Sequence, residues 1–215
     1  MKTASMLNII TLGALAFAAI GLLVGPLQAA DIIEEWAMAK VPSAPALKSA
    51  KIDPKTTALL MLDFVKQGCN AERRPRCIAS VPVVKQLVSQ AREKKLLVIY
   101  TGFGKAVRAD VLPEIAPTSD EQFLVSFLDK FIGTDLEKIL RDRGIQTVIT
   151  VGTAAHGAVL HTAAASALHN FNAIVPVDGM SAESLYAEQY TAWHLTNAPV
   201  IPPKITLTRI NMVQF

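Results

Sequence analysis

The sequence is poor in several residue types on which specialised binding sites depend. Aromatic residues make up 6% of the chain and charged residues 18%, and the 215 residues include two cysteines and four histidines. No stripe of basic residues interleaved with aromatic residues is present, and the formal net charge is only +3. Proteins that bind nucleic acid usually cluster Lys and Arg on one face beside stacking rings. We therefore expect no nucleic-acid partner.

The first 30 residues have the layout of a secretory signal peptide. Lys2 precedes a mostly apolar run from Leu7 to Leu23, Gly25-Pro26 breaks the run, and small residues end the segment at Ala29-Ala30. The run is only slightly shorter than the roughly 20 residues that span a bilayer. An uncleaved anchor or a buried helix is therefore the alternative. We expect cleavage near Ala29 or Ala30, a secreted or periplasmic protein, and no membrane attachment after cleavage.

Export affects the interpretation of the two cysteines, since thiols outside the cytoplasm tend to pair. Cys69 and Cys77 lie in one polar segment, with Pro75 between them. We expect a short-loop disulfide between them, worth roughly 2–3 kcal/mol on the loop-entropy model. A catalytic free thiol at Cys69 and two inert free thiols are the alternatives.

From Lys55 onward, short apolar runs alternate with amphipathic stretches of helical spacing, which is typical of βαβ units around a mostly parallel sheet. The fold class is α/β. Six strands are predicted, at residues 56–64, 96–101, 122–127, 147–152, 173–178 and 205–210. Helices are expected at about 80–94, 135–143, 157–170 and 183–197. We interpret residues 31–50 as an N-terminal arm and residues 51–215 as one domain.

Ligands of open parallel sheets bind at the carboxyl ends of the strands. Asp63 ends the first strand, Thr101 to Lys105 follow the second, and the fourth opens into residues 152–163, GTAAHGAVLHTA. A strand that turns through small residues directly into a helix gathers backbone N–H groups and the positive end of the helix dipole. Such a turn can hold an anion or stabilise an oxyanion.

Four segments together resemble the isochorismatase-like superfamily, which includes nicotinamidases and N-carbamoylsarcosine amidases. They are Asp63 at the end of the first strand and residues 129–145, 148–163 and 175–184. The likeness covers nearly all of residues 55–212. It implies a Rossmann-like three-layer αβα sandwich and a hydrolase acting on a small amide, carbamoyl or vinyl-ether substrate.

Family members that hydrolyse amides use an Asp base, a Lys and a Cys nucleophile, with a cis peptide in the turn before that Cys. The resemblance places the base at Asp63, the cis bond at Thr153-Ala154, and the oxyanion donors at the N–H groups of Ala154 and Ala158. The nucleophile position itself falls on Ala158. A methyl group cannot replace a thiolate in covalent catalysis.

The resemblance also implies that the catalytic lysine is missing. Counted back from Phe131 to Thr134, its position falls on Val125, with Ser126 beside it. Isochorismatases proper are an exception within the family, since hydrolysis of a vinyl ether can rest on the Asp as a general acid without a thiol. Ala158 therefore excludes covalent catalysis by a thiolate at this position, but it does not exclude hydrolysis by another mechanism.

Four further residues are candidates for the pocket. A neutral His156, two positions before Ala158, could act as a general base with Asp63, or it could simply satisfy backbone groups of the turn. Lys105 could supply the missing positive charge, or remain a solvated loop lysine. Phe64 and Phe103 could wall the pocket or belong to the core.

We expect no cofactor and no metal. Nicotinamidase-like relatives carry an Asp-and-His cluster after the second strand, whereas this chain has Gly102 to Lys105 there and no histidine between residues 31 and 155.

Three functions remain open. The first is an exported hydrolase that works without a cysteine nucleophile, with Asp63 as acid or base. The second is a catalytically inactive relative that binds a small molecule or a protein partner. The third is a thiol enzyme using Cys69. Relatives commonly associate, so we also expect a homo-oligomer.

Overall fold

The structure is a computed structural model that describes residues 30–215. The predicted leader lies outside the described residues except for Ala30. Residues 30–41 belong to one unit and contain a short 3₁₀ turn at Trp36–Met38. The compact unit that carries the candidate site runs from Pro42 to Phe215, so it includes the second half of the predicted arm.

Six strands form the path of the main sheet, as the alternating pattern predicts. They are β2 Thr57–Leu62, β3 Leu97–Gly102, β4 Gln122–Val125, β5 Thr147–Thr153, β6 Asn172–Pro176 and β8 Ile205–Thr208, in the order β4-β3-β2-β5-β6-β8. All their pairings are parallel. A two-residue strand, β7 at Met180–Ser181, pairs in parallel with the end of β5 and is the seventh member of the sheet. Outside the sheet, β1 (Ala50–Lys51) pairs with β9 (Val213–Gln214).

Alternate residues of each central strand pack on opposite faces, as the period of two requires. Leu59 and Met61 of β2 contact one core, together with helix α1, Pro75–Glu93. Leu60 and Leu62 contact the other, whose helices are α2 Leu136–Asp142, α3 Leu160–Leu168 and α4 Leu185–Asn197. The predicted three-layer αβα sandwich is therefore confirmed.

Helix α1 begins earlier than predicted. The sequence places its start at Ser80 with Pro82 in the first turn, but the helix begins at Pro75 and carries Pro82 inside it. Proline is favourable at a first helical position, because its φ is preset and its missing N–H needs no partner there. The Ser80 hydroxyl instead donates to the Cys77 carbonyl at 2.8 Å. Cys77 thus lies in the helix rather than in a loop.

Candidate active site

Asp63 stands immediately after β2, at the carboxyl end of the sheet. Its φ of 57° is uncommon for a residue with a Cβ, although Asp and Asn tolerate this region better than most. The Asp63 N–H donates to the Thr101 carbonyl at 3.2 Å. Gly152 permits the neighbouring strand to approach, since a Cβ there would lie 2.2 Å from the Leu62 carbonyl oxygen. The backbone therefore fixes Asp63 beside the β5 turn.

Both carboxyl oxygens of Asp63 accept hydrogen bonds from buried donors. The Thr101 hydroxyl donates to Oδ1 at 2.8 Å, and the Lys130 ammonium donates to Oδ2 at 2.8 Å. Lys130 is wholly buried and Asp63 is 4% exposed. Burial raises the pKa of Asp63 above its ordinary value, although the charge and hydrogen bond of Lys130 act in the opposite direction. This carboxyl thus holds its proton to a higher pH than an exposed aspartate does.

The expectation that Val125 takes the place of the lysine is wrong. Val125 lies on the edge strand β4 and is 43% exposed, while Lys130 contacts Asp63 directly. Ser126 is buried but donates to the Asp129 and Ile132 carbonyls, so it supports the turn and does not contact Asp63. The Lys130 ammonium also donates to the Phe127 carbonyl at 2.6 Å.

A cavity of about 260 Å³ adjoins Asp63. Its wall includes four predicted site residues besides Asp63: Phe103, Thr153, Ala154 and Ala158. The Thr153-Ala154 peptide bond is cis, as the resemblance implies. The structure therefore brings the acid group and the turn after β5 to one cavity.

The remaining lining residues were not foreseen from the sequence. They are Arg73, Arg74, Phe127, Leu128 and Gly157. Phe127 is 80% exposed and Leu128 is 53% exposed, so the cavity has an apolar rim. The two arginines belong to the segment between the cysteines, whose composition had indicated only a polar loop.

Besides Val125 and Ser126, three predicted site residues do not line this cavity. Phe64 is 1% exposed and belongs to the α1 core, and Lys105 is exposed on its loop. His156 is exposed and lines a different hollow, of about 420 Å³, with residues of α3 and α4 such as Leu160 and Tyr190. The structure therefore separates His156 from the Asp63 cavity, contrary to the predicted partnership.

A larger hollow of about 720 Å³ opens elsewhere, but its position argues against a role in catalysis. Its lining includes Lys55, Leu97 and Gln122, which lie before or at the start of their strands. Parallel sheets bind ligands at the opposite, carboxyl ends. The Asp63 cavity is smaller but has the expected position and the buried ionisable groups.

Cys69 and Cys77 are joined by a disulfide with a Cα–Cα distance of 5.4 Å. Neither sulfur is available as a nucleophile in this state, so the catalytic Cys69 alternative is not supported. Among residues 30–215, no group of three or more His, Cys, Asp and Glu side chains is arranged to hold a metal ion. Within the same residues, no helix is both long and apolar enough to cross a membrane.

A cavity with a buried acid–lysine pair at the carboxyl ends of a parallel sheet has the position at which open αβα folds bind small molecules, although the fold alone does not determine the chemistry. The comparison with known families is more specific: residues 57–202 match the isochorismatase domain. The chain belongs to this family. No curated protein matches the sequence.

Solved structures of the family share the fold. An isochorismatase family protein from Desulfovibrio vulgaris is 20% identical, with a TM-score of 0.65 over 73% of this chain and 95% of that one. N-carbamoylsarcosine amidase from Thermoplasma acidophilum is 23% identical, with a TM-score of 0.64 over 73% and 97%. The nicotinamidase from Staphylococcus aureus is 18% identical, with a TM-score of 0.61 over 67% and 94%. At these identities the likeness establishes the fold alone.

Proposed function

We propose that the protein is an exported hydrolase that uses Asp63 as its acid–base group and needs no cysteine nucleophile. The observation that carries the proposal is the buried Asp63, hydrogen-bonded by Lys130 and Thr101 and lining a cavity of substrate size. A buried ion pair adds little stability in general, because desolvation offsets the attraction between its charges. Such a pair beside a cavity is therefore better explained by chemistry than by packing.

Ala158 limits which bonds this site can break. The turn that would present a thiolate presents a methyl group, so an acyl-enzyme through sulfur is excluded at this position. Hydrolysis of a vinyl ether requires no such intermediate. The first step is protonation of a carbon atom by an acid, and a carboxyl with a raised pKa suits that role.

The proposed reaction balances with water as the only co-reactant. Asp63 transfers its proton to the terminal carbon of the double bond, which leaves an oxocarbenium ion. Water adds to the cationic carbon and returns a proton to the Asp63 carboxylate. The hemiketal then collapses to a carbonyl compound and an alcohol. Lys130 stabilises the carboxylate that forms between the two proton transfers, at 2.8 Å from Oδ2.

The test uses 2-methoxyacrylate, a small vinyl ether that yields pyruvate and methanol on hydrolysis, together with a panel of small amides and carbamoyl compounds. We expect turnover of the vinyl ether and at least a roughly 100-fold loss in Asp63→Asn, the lower end of general acid–base contributions. Asp142→Asn, which removes an exposed carboxyl on α2, is the control. Saturable binding without product from any compound would favour the inactive binding protein instead.

A further inference from the structure

Lys130 lies in a stretch of bends and turns rather than in a helix or strand. This stretch runs from Ser126 to Asp135, between the end of β4 and the start of α2. The Lys130 side chain is nevertheless wholly buried, and its ammonium lies 2.8 Å from Asp63 Oδ2. A backbone without a regular ladder of hydrogen bonds needs other partners for its polar groups. The partners of this stretch therefore show what positions the lysine.

Three hydroxyl side chains bind the backbone around Lys130. The Ser126 hydroxyl donates to two backbone carbonyls within the stretch, at 2.6 and 3.1 Å. The Thr134 hydroxyl donates to the Lys130 carbonyl at 2.5 Å. The Thr162 hydroxyl accepts from the Lys130 N–H and donates to the Leu128 carbonyl, both at 3.3 Å. Side chains thus supply hydrogen bonds that a helix or strand would supply from its own backbone.

Thr162 differs from the other two residues because it belongs to another element. It lies in α3 and is wholly buried. A helical threonine commonly bonds the carbonyl four residues earlier in its own helix, as the equally buried Thr191 of α4 does with Ala187 at 2.8 Å. The Thr162 hydroxyl instead bridges two backbone groups of the Lys130 stretch. At 3.3 Å each contact is weak, but the two together fix the stretch relative to α3.

This position affects the site because the acid–lysine pair is buried. Charges attract more strongly in a buried site than in water, so a small change in their separation has a larger effect. Thr162 also lies four residues after Ala158, whose turn lines the cavity. The same hydroxyl therefore keeps the Lys130 stretch in register with the turn after β5.

From these contacts we propose that Thr162 is a positioning residue, whose hydroxyl holds the backbone at residues 128–130 and thereby keeps the Lys130 ammonium on Asp63. Its effect on turnover rests on the proposed function, whereas its effect on the Asp63–Lys130 pair does not. The sequence alone does not show this role, since a threonine within a helix is ordinarily explained by packing or by a bond within its own helix.

The test follows protonation of Asp63 by NMR in the intact protein, with aspartate labelled with ¹³C at the side-chain carboxyl carbon. Asp63→Asn identifies the signal. Lys130 and Arg74 lower the pKa of Asp63, against burial, which raises it. Thr162→Val has nearly the same shape but lacks the hydroxyl, so Lys130 should withdraw. The Asp63 midpoint should then move to higher pH, in the same direction as in Lys130→Gln but less far.

Two further variants separate the hydroxyl from packing. Thr162→Ser keeps the hydroxyl and should retain the parent midpoint, although it loses a buried methyl group. Thr191→Val removes an equally buried hydroxyl that bonds within α4, and it should leave the midpoint unchanged. A parent-like midpoint in folded Thr162→Val would overturn the proposal. An equal shift in Thr162→Ser or in Thr191→Val would overturn it as well.

Thr134→Val decides the question if Thr162→Val does not fold, because Thr134 is only partly buried. This variant removes the hydrogen bond to the Lys130 carbonyl. A midpoint at higher pH would support positioning of the ammonium by hydroxyl contacts with this backbone. An unchanged midpoint would overturn it.

These measurements do not depend on turnover, so they separate the positioning role from the proposed function. A shifted midpoint in Thr162→Val, without turnover of 2-methoxyacrylate by the parent protein, supports the positioning role and rejects the vinyl-ether hydrolase. Turnover that Asp63→Asn abolishes, with the same Asp63 midpoint in the parent protein and in Thr162→Val, supports the hydrolase and rejects the positioning role.

Discussion

At the scale of single residues, the candidate site is built on Asp63 and Lys130. Counting along the sequence had placed the lysine position at Val125 instead. Asp63 was identifiable because a carboxylate ends an otherwise apolar, wholly buried strand. Lys130 stands within residues 129–145, a segment that carries the family resemblance, yet the count back to Val125 passed over it. The stretch from Ser126 to Asp135 consists of bends and turns without a regular period. Which of its side chains returns to β2 is set by tertiary packing, and spacing alone does not reveal it.

The pH dependence of turnover should report the raised pKa of Asp63. A general acid is active while protonated, so kcat/KM should stay level at low pH and fall as the pH rises through that pKa. The midpoint should lie above 3.8, the ordinary value for an aspartate. Lys130→Gln removes the charge that opposes burial, so it should move the midpoint to higher pH. A midpoint that stays fixed in Lys130→Gln would contradict the assigned coupling.

The Asp63–Lys130 pair should behave as a unit in stability measurements. Breaking a buried pair leaves one charge uncompensated, which costs about 3–5 kcal/mol, whereas replacing both partners is often neutral. We expect Asp63→Asn and Lys130→Met each to lower the free energy of unfolding, and the double variant to recover most of the loss. Denaturant unfolding of all four proteins measures this coupling. Additive losses in the double variant would show that the two side chains act independently.

Ala158→Cys should restore a reactive thiol at the turn after β5. Both native cysteines are paired in the disulfide, so iodoacetamide should leave the parent protein unlabelled under non-reducing conditions. The variant should be labelled rapidly, and faster than Ala109→Cys in an exposed 3₁₀ turn, because backbone N–H groups and nearby cations favour a thiolate. Mass spectrometry after timed labelling gives both rates. Equal rates would mean that the turn does not activate a nucleophile.

At the scale of elements, the segment between β2 and α1 contributes two arginines to the wall of the cavity. The Cys69–Cys77 disulfide closes this segment, and Arg73 and Arg74 lie inside the closed loop. The sequence indicated the pairing, because two cysteines eight residues apart follow a predicted leader. The sequence did not indicate that Arg74 is buried, because arginines in a polar segment are usually exposed to solvent. The start of α1 was misplaced for a related reason, because Pro75 and Pro82 each suit a first helical turn.

Removal of the disulfide should weaken the fold. The Cys69→Ser/Cys77→Ser variant should lose about 2–3 kcal/mol of stability, as expected for a short closed loop. Denaturant unfolding curves of the two proteins measure this loss. Equal free energies of unfolding would show that the disulfide does not stabilise the fold.

At the scale of the whole molecule, the alternating pattern predicted the sheet and its two helical layers well. Continuous apolar runs such as Thr57–Leu62 occur where helices cover both faces of a parallel sheet. The two-residue strand β7 was not predicted, because so short a pairing with β5 has no period of its own. His156 was misassigned for a similar reason: its position in the turn is clear, but the face on which its side chain lies depends on how α3 packs against α4.

The N-terminal segment gives a prediction about the mature protein. If residues 1–30 form a cleaved leader, the exported protein should begin near Ala30 or Asp31 and retain its cysteines in the oxidised form. Intact-mass analysis of protein recovered from outside the cytoplasm tests both points. Recovery of a chain that still begins at Met1 would contradict cleavage and favour a retained anchor.

The central claim is that Asp63 donates a proton to carbon during hydrolysis. The most direct measurement is the initial rate of pyruvate release from 2-methoxyacrylate in H₂O and in D₂O, for the parent protein and for Asp63→Asn. We predict turnover by the parent protein that is slower in D₂O, because proton transfer limits the rate, and at least a roughly 100-fold lower rate in Asp63→Asn. No turnover by the parent protein, or equal rates for the two proteins, would contradict the claim.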